Sequence, residues 1–213
     1  MSGRYQRKDH LYNKAKDEGY RSRAAYKLQE LNKKFRFLKP GTTVLDLGSF
    51  AGGWLQVACE VVGPKGRVLG VDLRALEKFS PADIKGSFKP PLLPEVFIGD
   101  VTEEQTRAEL RMRAQGRLDV VLSDMSPHIS GIKDRDIAGS LELVEIAFAT
   151  AQELLKEGGW LIAKIFPSPD SELLFKRMNP WFVKLQRVCL DSSRKTSNEY
   201  YFVGKGFRSI VES

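Results

Sequence analysis

Apolar residues recur along the chain in two rhythms, and the alternation between them outlines a fold. Over residues 22–35, Ala24, Leu28, Leu31 and Phe35 fall at spacings of 4, 3 and 4, which predicts an amphipathic helix with Ser22 as its cap and Pro40-Gly41 closing it. Short apolar runs then alternate with helical segments. Strands are predicted at 44–47, 68–72, 96–101 and 119–123, with helices at 54–62 and 103–115 between them. Residues 76–94 hold four prolines and are expected to form an irregular surface excursion. The clearest helix is 140–156, with Leu141, Val144, Phe148, Ala151 and Leu155 on one face and Gly158-Gly159 expected at its end. Strands at 160–166, 184–190 and 200–203 complete the pattern. Strands separated by helices imply parallel βαβ units, hence an α/β fold with a doubly wound, mostly parallel sheet. In such sheets ligands sit beyond the carboxyl ends of the strands, so the residues just after each strand carry the candidate chemistry.

With 213 residues, 42% of them hydrophobic, the chain has material for about one domain with a sizeable core. The longest apolar run, 160–166, is interrupted by Lys164 and is far short of a membrane span, and the charged N-terminus has no secretory pattern. Cys59 and Cys189 stand 130 positions apart, which offers neither a disulfide framework nor metal-ligand spacing. A cytoplasmic protein without a metal site is the expectation. The charge is distributed unevenly. Residues 1–39 carry 12 Lys and Arg against 4 Asp and Glu, a net of +8, whereas the remainder carries 22 against 23. Tyr5, Tyr12, Tyr20 and Tyr26 are interleaved with those cations. Cations bind phosphates without reading sequence and aromatic rings stack on unpaired bases, so a nucleic acid is the expected partner of this arm. We divide the chain into a basic arm and helix at 1–39, the α/β domain at 40–207 and a tail at 208–213.

The predicted strand ends are rich in glycine and carboxylate. The first runs into Gly48-Ser49-Phe50-Ala51-Gly52-Gly53-Trp54, a spacing that lacks the dinucleotide fingerprint Gly-x-Gly-x-x-Gly but lets the backbone approach a ligand. The second ends in Asp72, 24 residues beyond Gly48, where a carboxylate can accept hydrogen bonds from ribose hydroxyls. The third ends in Gly99-Asp100 and the fourth in Ser123-Asp124-Met125-Ser126-Pro127. Three carboxylates would repel a triphosphate in the absence of metal, but they suit a nucleoside that carries positive charge. S-adenosyl-L-methionine has that character.

The stretches Gly19-Tyr-Arg-Ser-Arg-Ala-Ala-Tyr-Lys-Leu28, Val44-Leu-Asp-Leu-Gly48, Gly52-Gly-Trp54, Ser123-Asp-Met-Ser-Pro127, Ala163-Lys-Ile-Phe166 and Asp191-Ser-Ser-Arg194, followed by Glu199, resemble the bacterial FtsJ family (RrmJ type) of ribose 2′-O-methyltransferases. The likeness runs from about Tyr12 to Gly206. It implies a Rossmann-like, S-adenosylmethionine-dependent methyltransferase fold acting on a uridine of the large subunit's 23S ribosomal RNA. The family's catalytic Lys-Asp-Lys-Glu set falls on Lys27, Asp124, Lys164 and Glu199. Cofactor contacts are implied at Gly52, Gly53, Trp54, Asp72, Asp100 and Asp124. In this reading Lys164, buried and beside a second cation, takes or redirects the hydroxyl proton. Asp124 orients it, and Glu199 holds both lysines in place. The expected partner is ribosomal RNA, within the large subunit or its precursor, bound by a monomer; neither membrane nor DNA is expected.

Two departures stand out. Phe50-Ala51 replaces the family's usual Ala-Pro before Gly-Gly, and Pro167-Ser168-Pro169 replaces a glycine-containing segment near the target nucleotide. His128 and His10 are left without a role. Two alternatives share much of the pattern: a transfer-RNA ribose methyltransferase of the same family, and an RNA-binding assembly factor without catalysis.

Overall fold

The computed structural model describes residues 10–116, 118–194 and 198–210. The first nine residues of the basic arm and the last three of the tail lie outside them. The strands are β1 (Thr43–Leu47), β2 (Arg67–Asp72), β3 (Glu95–Ile98), β4 (Leu118–Ser123), β5 (Leu155–Ile165), β6 (Phe182–Val188) and β7 (Tyr200–Phe207). They form a single sheet in the order β3-β2-β1-β4-β5-β7-β6, in which β7 runs antiparallel to both of its neighbours and all other pairs are parallel. The helices are α1 (His10–Asp17), α2 (Ala25–Phe35), α3 (Gly53–Val62), α4 (Glu104–Ala114), α5 (Lys133–Leu154) and α6 (Pro169–Met178).

Successive strand residues face opposite sides of a sheet, and this parity builds two cores. Leu45, Leu47, Val121, Leu161, Ala163 and Phe202 pack on one face with Leu110 of α4, Val144 and Phe148 of α5 and Leu174 of α6. Val44, Val120, Leu122, Ile162 and Val203 pack on the other with Leu28 and Leu31 of α2 and Leu55, Ala58 and Val62 of α3. The helix expected at 22–35 therefore covers the sheet, and its apolar stripe is what attaches the basic segment to the domain.

Several boundaries differ from the expectation. Ser22 does not cap α2: the cap position is Ala24, without a side-chain hydrogen bond. Ser22 instead contributes its carbonyl to the Ala25 amide, at 3.2 Å. The 140–156 helix begins seven residues sooner, at Lys133, and ends at Leu154. Gly158-Gly159 lies inside β5 rather than ending the helix, beside a register irregularity opposite 118–120. Residues 76–94 are irregular as expected, apart from a short 3-10 turn at Pro81–Asp83. Two helices were not anticipated. α1 buries only Ala15, and so carries little apolar signal. α6 opens with a capping box in which the Ser168 hydroxyl accepts from the Ser171 amide at 3.0 Å, so the Pro167-Ser168-Pro169 segment is a helix start.

Candidate active site

Sheet register brings the predicted residues together. Ser123 pairs with Ala163, which sets Asp124, the next residue after β4, level with Lys164 near the end of β5. On the other side of β5, Lys164 pairs with Tyr201 of β7. Tyr201 belongs to the core beneath α2 and α3, and strand pairing sets Lys164 on that same face, toward Lys27 of α2.

The four residues form one hydrogen-bonded ion network. Lys164 Nζ donates to the Asp124 backbone carbonyl at 2.7 Å and lies 3.2 Å from Asp124 Oδ1. The Tyr201 hydroxyl donates to that same Oδ1 at 2.7 Å. Lys27 Nζ sits 2.5 Å from Glu199 Oε1 and 3.8 Å from Asp124 Oδ1, and the Ser193 hydroxyl donates to Glu199 Oε1 at 2.8 Å. Lys164 is 7% exposed, an ammonium tolerated at that depth because it is paired and hydrogen-bonded. Burial would push the Glu199 carboxyl upward, but the charge and hydrogen bond of Lys27, helped by Ser193 and Lys164, hold it at about 2. Burial and the neighbouring Asp124 and Glu199 charges raise the Tyr201 phenol well above its ordinary value, so it remains a donor.

Beside this network opens a cleft of about 750 Å³, lined by Lys27, Glu199, Arg23, Lys133, Arg194 and Phe166 among others. Two of the network's residues therefore face a space with cationic walls.

The other residues singled out in the sequence lie at the carboxyl ends of β1 to β3. Gly52 has φ +99°, and a Cβ there would lie 2.8 Å from the Phe79 ring, so the turn before α3 requires glycine. A Cβ on Gly53 would strike the Ser22 hydroxyl, because the start of α2 passes directly over the start of α3. Asp72 Oδ2 accepts the Phe50 amide at 2.9 Å and its Oδ1 accepts the Arg74 amide at 2.9 Å, so this carboxylate holds the turn after β1. Asp100 Oδ1 accepts from the amide and hydroxyl of Thr102. Trp54 is buried; its indole N–H donates to the Ala24 carbonyl at 2.8 Å and its ring stacks on Tyr201. Its side chain therefore fastens α2 and β7 together at the start of α3.

Three residues here were missed by sequence reasoning. Asp46 Oδ2 and Ser49 Oγ, near the end of β1 and in the glycine turn, are buried with no hydrogen-bond partner among the described residues. Burial, then the charges of Asp124 and Asp72, raise the Asp46 carboxyl well above its ordinary value. The available signal was Asp46 itself, a carboxylate inside an apolar strand. Tyr201 was also missed, because a tyrosine in a strand is ordinarily core. Orphaned oxygens beside a glycine turn, with Asp72 and Asp100 on the next two strands, suit a cationic ligand rich in hydrogen-bond donors. S-adenosylmethionine, with its ammonium, sulfonium and ribose hydroxyls, fits that set. Among the described residues no group of His, Cys, Asp and Glu is arranged to hold a metal ion. None of the described helices is long and apolar enough to cross a membrane.

A mostly parallel seven-stranded sheet with an antiparallel β7, and with its polar groups gathered at one edge, is the frame of Rossmann-like methyltransferases. The sequence profile of FtsJ-like methyltransferases matches residues 20–207, and the chain belongs to that family. It is 44% identical over 200 residues to "Ribosomal RNA large subunit methyltransferase E" of Halobacterium salinarum, covering 93% of this chain and 73% of that one. A protein of the same name from Syntrophobacter fumaroxidans is 40% identical, over 96% of this chain and 98% of its own. Among solved structures, a Plasmodium falciparum protein described as a ribosomal RNA methyltransferase superposes with a TM-score of 0.74 at 26% identity, covering 88% of this chain and 98% of that one. The MycE methyltransferase of mycinamycin biosynthesis, crystallised with Mg and SAH, shares the fold at a TM-score of 0.52 and 18% identity, over 94% of this chain and 50% of its own. Family membership is consistent with S-adenosylmethionine as methyl donor.

Proposed function

We propose that the chain methylates a ribose 2′-hydroxyl of ribosomal RNA, at a uridine of the large subunit's 23S RNA, with S-adenosylmethionine as donor. The observation that carries this reading is the single network joining Lys27, Asp124, Lys164 and Glu199 beside a cation-walled cleft. The relatives' names favour ribosomal RNA over transfer RNA. The intact network favours an enzyme over a non-catalytic assembly factor.

S-adenosylmethionine supplies, when bound, a methyl group on a sulfonium that is already a good leaving group. Gly52 and Gly53 shape the turn beside which it would lie, while Asp46, Asp72, Asp100 and the buried Ser49 hydroxyl would offer acceptors for its polar groups. The acceleration left to the protein is largely positioning and proton handling. The basic arm and the cleft cations Arg23, Lys133 and Arg194 hold the RNA backbone. Lys164 Nζ, once it has given up its own proton, accepts or redirects the 2′-hydroxyl proton. Asp124, oriented by the Tyr201 hydroxyl, fixes Lys164 through both its carbonyl and its carboxylate. Glu199 neutralises Lys27 and so sets how much positive charge faces Lys164.

Lys164→Arg tests the reading, because arginine keeps the charge but does not accept a proton at ordinary pH. Single-turnover methyl transfer at saturating RNA and cofactor should fall by about 100-fold or more, with both ligands still bound. Near-normal transfer would remove Lys164 as the proton acceptor.

A further inference from the structure

Glu199 lies in a loop rather than in a helix or strand, so its place against Lys27 must be held by something outside its own backbone ladder. The chain from Leu190 to Ser193 is a tight turn closed by the Ser193 amide on the Leu190 carbonyl, at 3.2 Å. Its two central amides, Asp191 and Ser192, point outward, and both are received by one side chain. Glu30 Oε1 accepts the Asp191 amide and Glu30 Oε2 the Ser192 amide, each at 2.9 Å. Successive amides aimed at one carboxylate are an anion-binding arrangement. Here the anion belongs to α2, one turn beyond Lys27.

The opposite side of Lys27 is tied to the same turn. Arg23, four residues before Lys27, donates to the Ser192 carbonyl at 2.5 Å. This hold is on the backbone of the turn, at the Ser192 carbonyl. From the turn, the Ser193 hydroxyl reaches Glu199 Oε1, the oxygen that also receives Lys27. The contacts form a closed ring: α2, turn, Ser193, Glu199, and back to α2 through Lys27.

We infer that Glu30 is a positioning residue for methyl transfer, acting through the 190–193 turn and Ser193 to hold Glu199 against Lys27. The inference rests on the functional reading above, in which the Lys27–Glu199 pair serves the reaction. An ionised Glu30 is needed, because two amide donors require two acceptor oxygens. Burial would raise its carboxyl, but the Ser192 and Asp191 hydrogen bonds and the charge of Lys34 bring it below the ordinary value. A glutamine in its place would set its own N–H₂ against one of the two amides, opening the turn while keeping size and shape.

The experiment is a double-mutant cycle on kcat, using ribosomal RNA transcribed in vitro and S-adenosylmethionine. Glu30→Gln alone should lower kcat about tenfold to 100-fold, with the KM for the cofactor unchanged. In a Glu199→Gln background the same substitution should change kcat by less than about twofold, because the group it positions is already gone. A general structural role would instead carry its full penalty into that background, and that result would overturn the inference. So would a wild-type rate for Glu30→Gln beside a slow Glu199→Gln. A wild-type rate for Glu199→Gln itself would bring down the role given to Glu199, and this inference with it. Should Glu30→Gln fail to fold, Ser193→Ala breaks the ring at a single hydroxyl. It should also slow kcat and show the same non-additivity with Glu199→Gln, and an unchanged rate in Ser193→Ala would overturn the inference.

Discussion

The Lys27–Glu199 pair makes a prediction that needs no RNA. Glu199 is held at about 2 in the folded protein against an ordinary 4.5. A carboxyl depressed by folding stabilises the native state above its unfolded value, and that stability is lost as pH falls toward the folded value. The difference corresponds to about 3 kcal/mol near neutrality, of which about 2 kcal/mol should disappear between pH 6 and pH 3. Other carboxyls titrate in that window, among them Asp83, Glu95 and Asp100, which are also held low. The comparison must therefore be made between wild type and Glu199→Gln, which has no proton to bind there. Urea unfolding followed by tryptophan fluorescence at pH 6, 5, 4 and 3 supplies the two curves. The gap between them should be widest at pH 6 and close by about 2 kcal/mol by pH 3. Parallel curves would show that the ionised Glu199 is not favoured by the fold, and the pairing with Lys27 would be wrong.

Further outcomes are expected. Asp72→Ala should weaken cofactor binding by about 1–3 kcal/mol, read by calorimetry with S-adenosylhomocysteine, and undiminished affinity in a folded variant would remove Asp72 from the site. Gly53→Val should impair both folding stability and cofactor affinity, since its side chain would push α2 off the start of α3; a normal melting temperature would contradict that packing. Tyr201→Phe removes the hydroxyl on Asp124 and should lower kcat with little effect on RNA affinity, whereas an unchanged kcat would show that Lys164 alone orients the carboxylate. Deleting residues 1–9, which carry Arg4, Arg7 and Lys8, should flatten the log–log salt dependence of RNA binding by about 0.7–0.9 for each phosphate that is no longer neutralised. An unchanged slope would make the segment a bystander.

The sheet was legible because buried strands advertise themselves: Val44 to Leu47 and Val120 to Leu122 are largely apolar runs between polar turns. The carboxylates at the strand ends were legible for the same reason, as charges following apolar runs. What escaped was whatever depends on contacts across the fold. α1 has almost no apolar stripe, being held by Lys14 over the Tyr26 ring and by Tyr26 on Glu18. The first turns of α5 are exposed and polar, with Asp136 binding the Ser130 and Gly131 amides instead of contributing to a core. The direction of β7 is set by pairing, which composition does not encode. Asp46 and Tyr201 were hidden by their ordinary local surroundings, and only the register exposes them as neighbours of Asp124.

The reversed direction of β7 has a consequence for the order in which the protein is made. Its first residues, rather than its last, arrive at the edge where the parallel strands end, so Glu199 and Tyr201 reach the site at the start of the final strand. The ion pair they complete joins residues 172 positions apart, nearly the two ends of the chain. A chain emerging from synthesis can assemble β1 to β5 and their carboxylates while Lys27 and Lys164 still lack two of their partners. On the proposed reading, methyl transfer waits until the last strand docks, and a polypeptide released short of it would lack Glu199 and Tyr201.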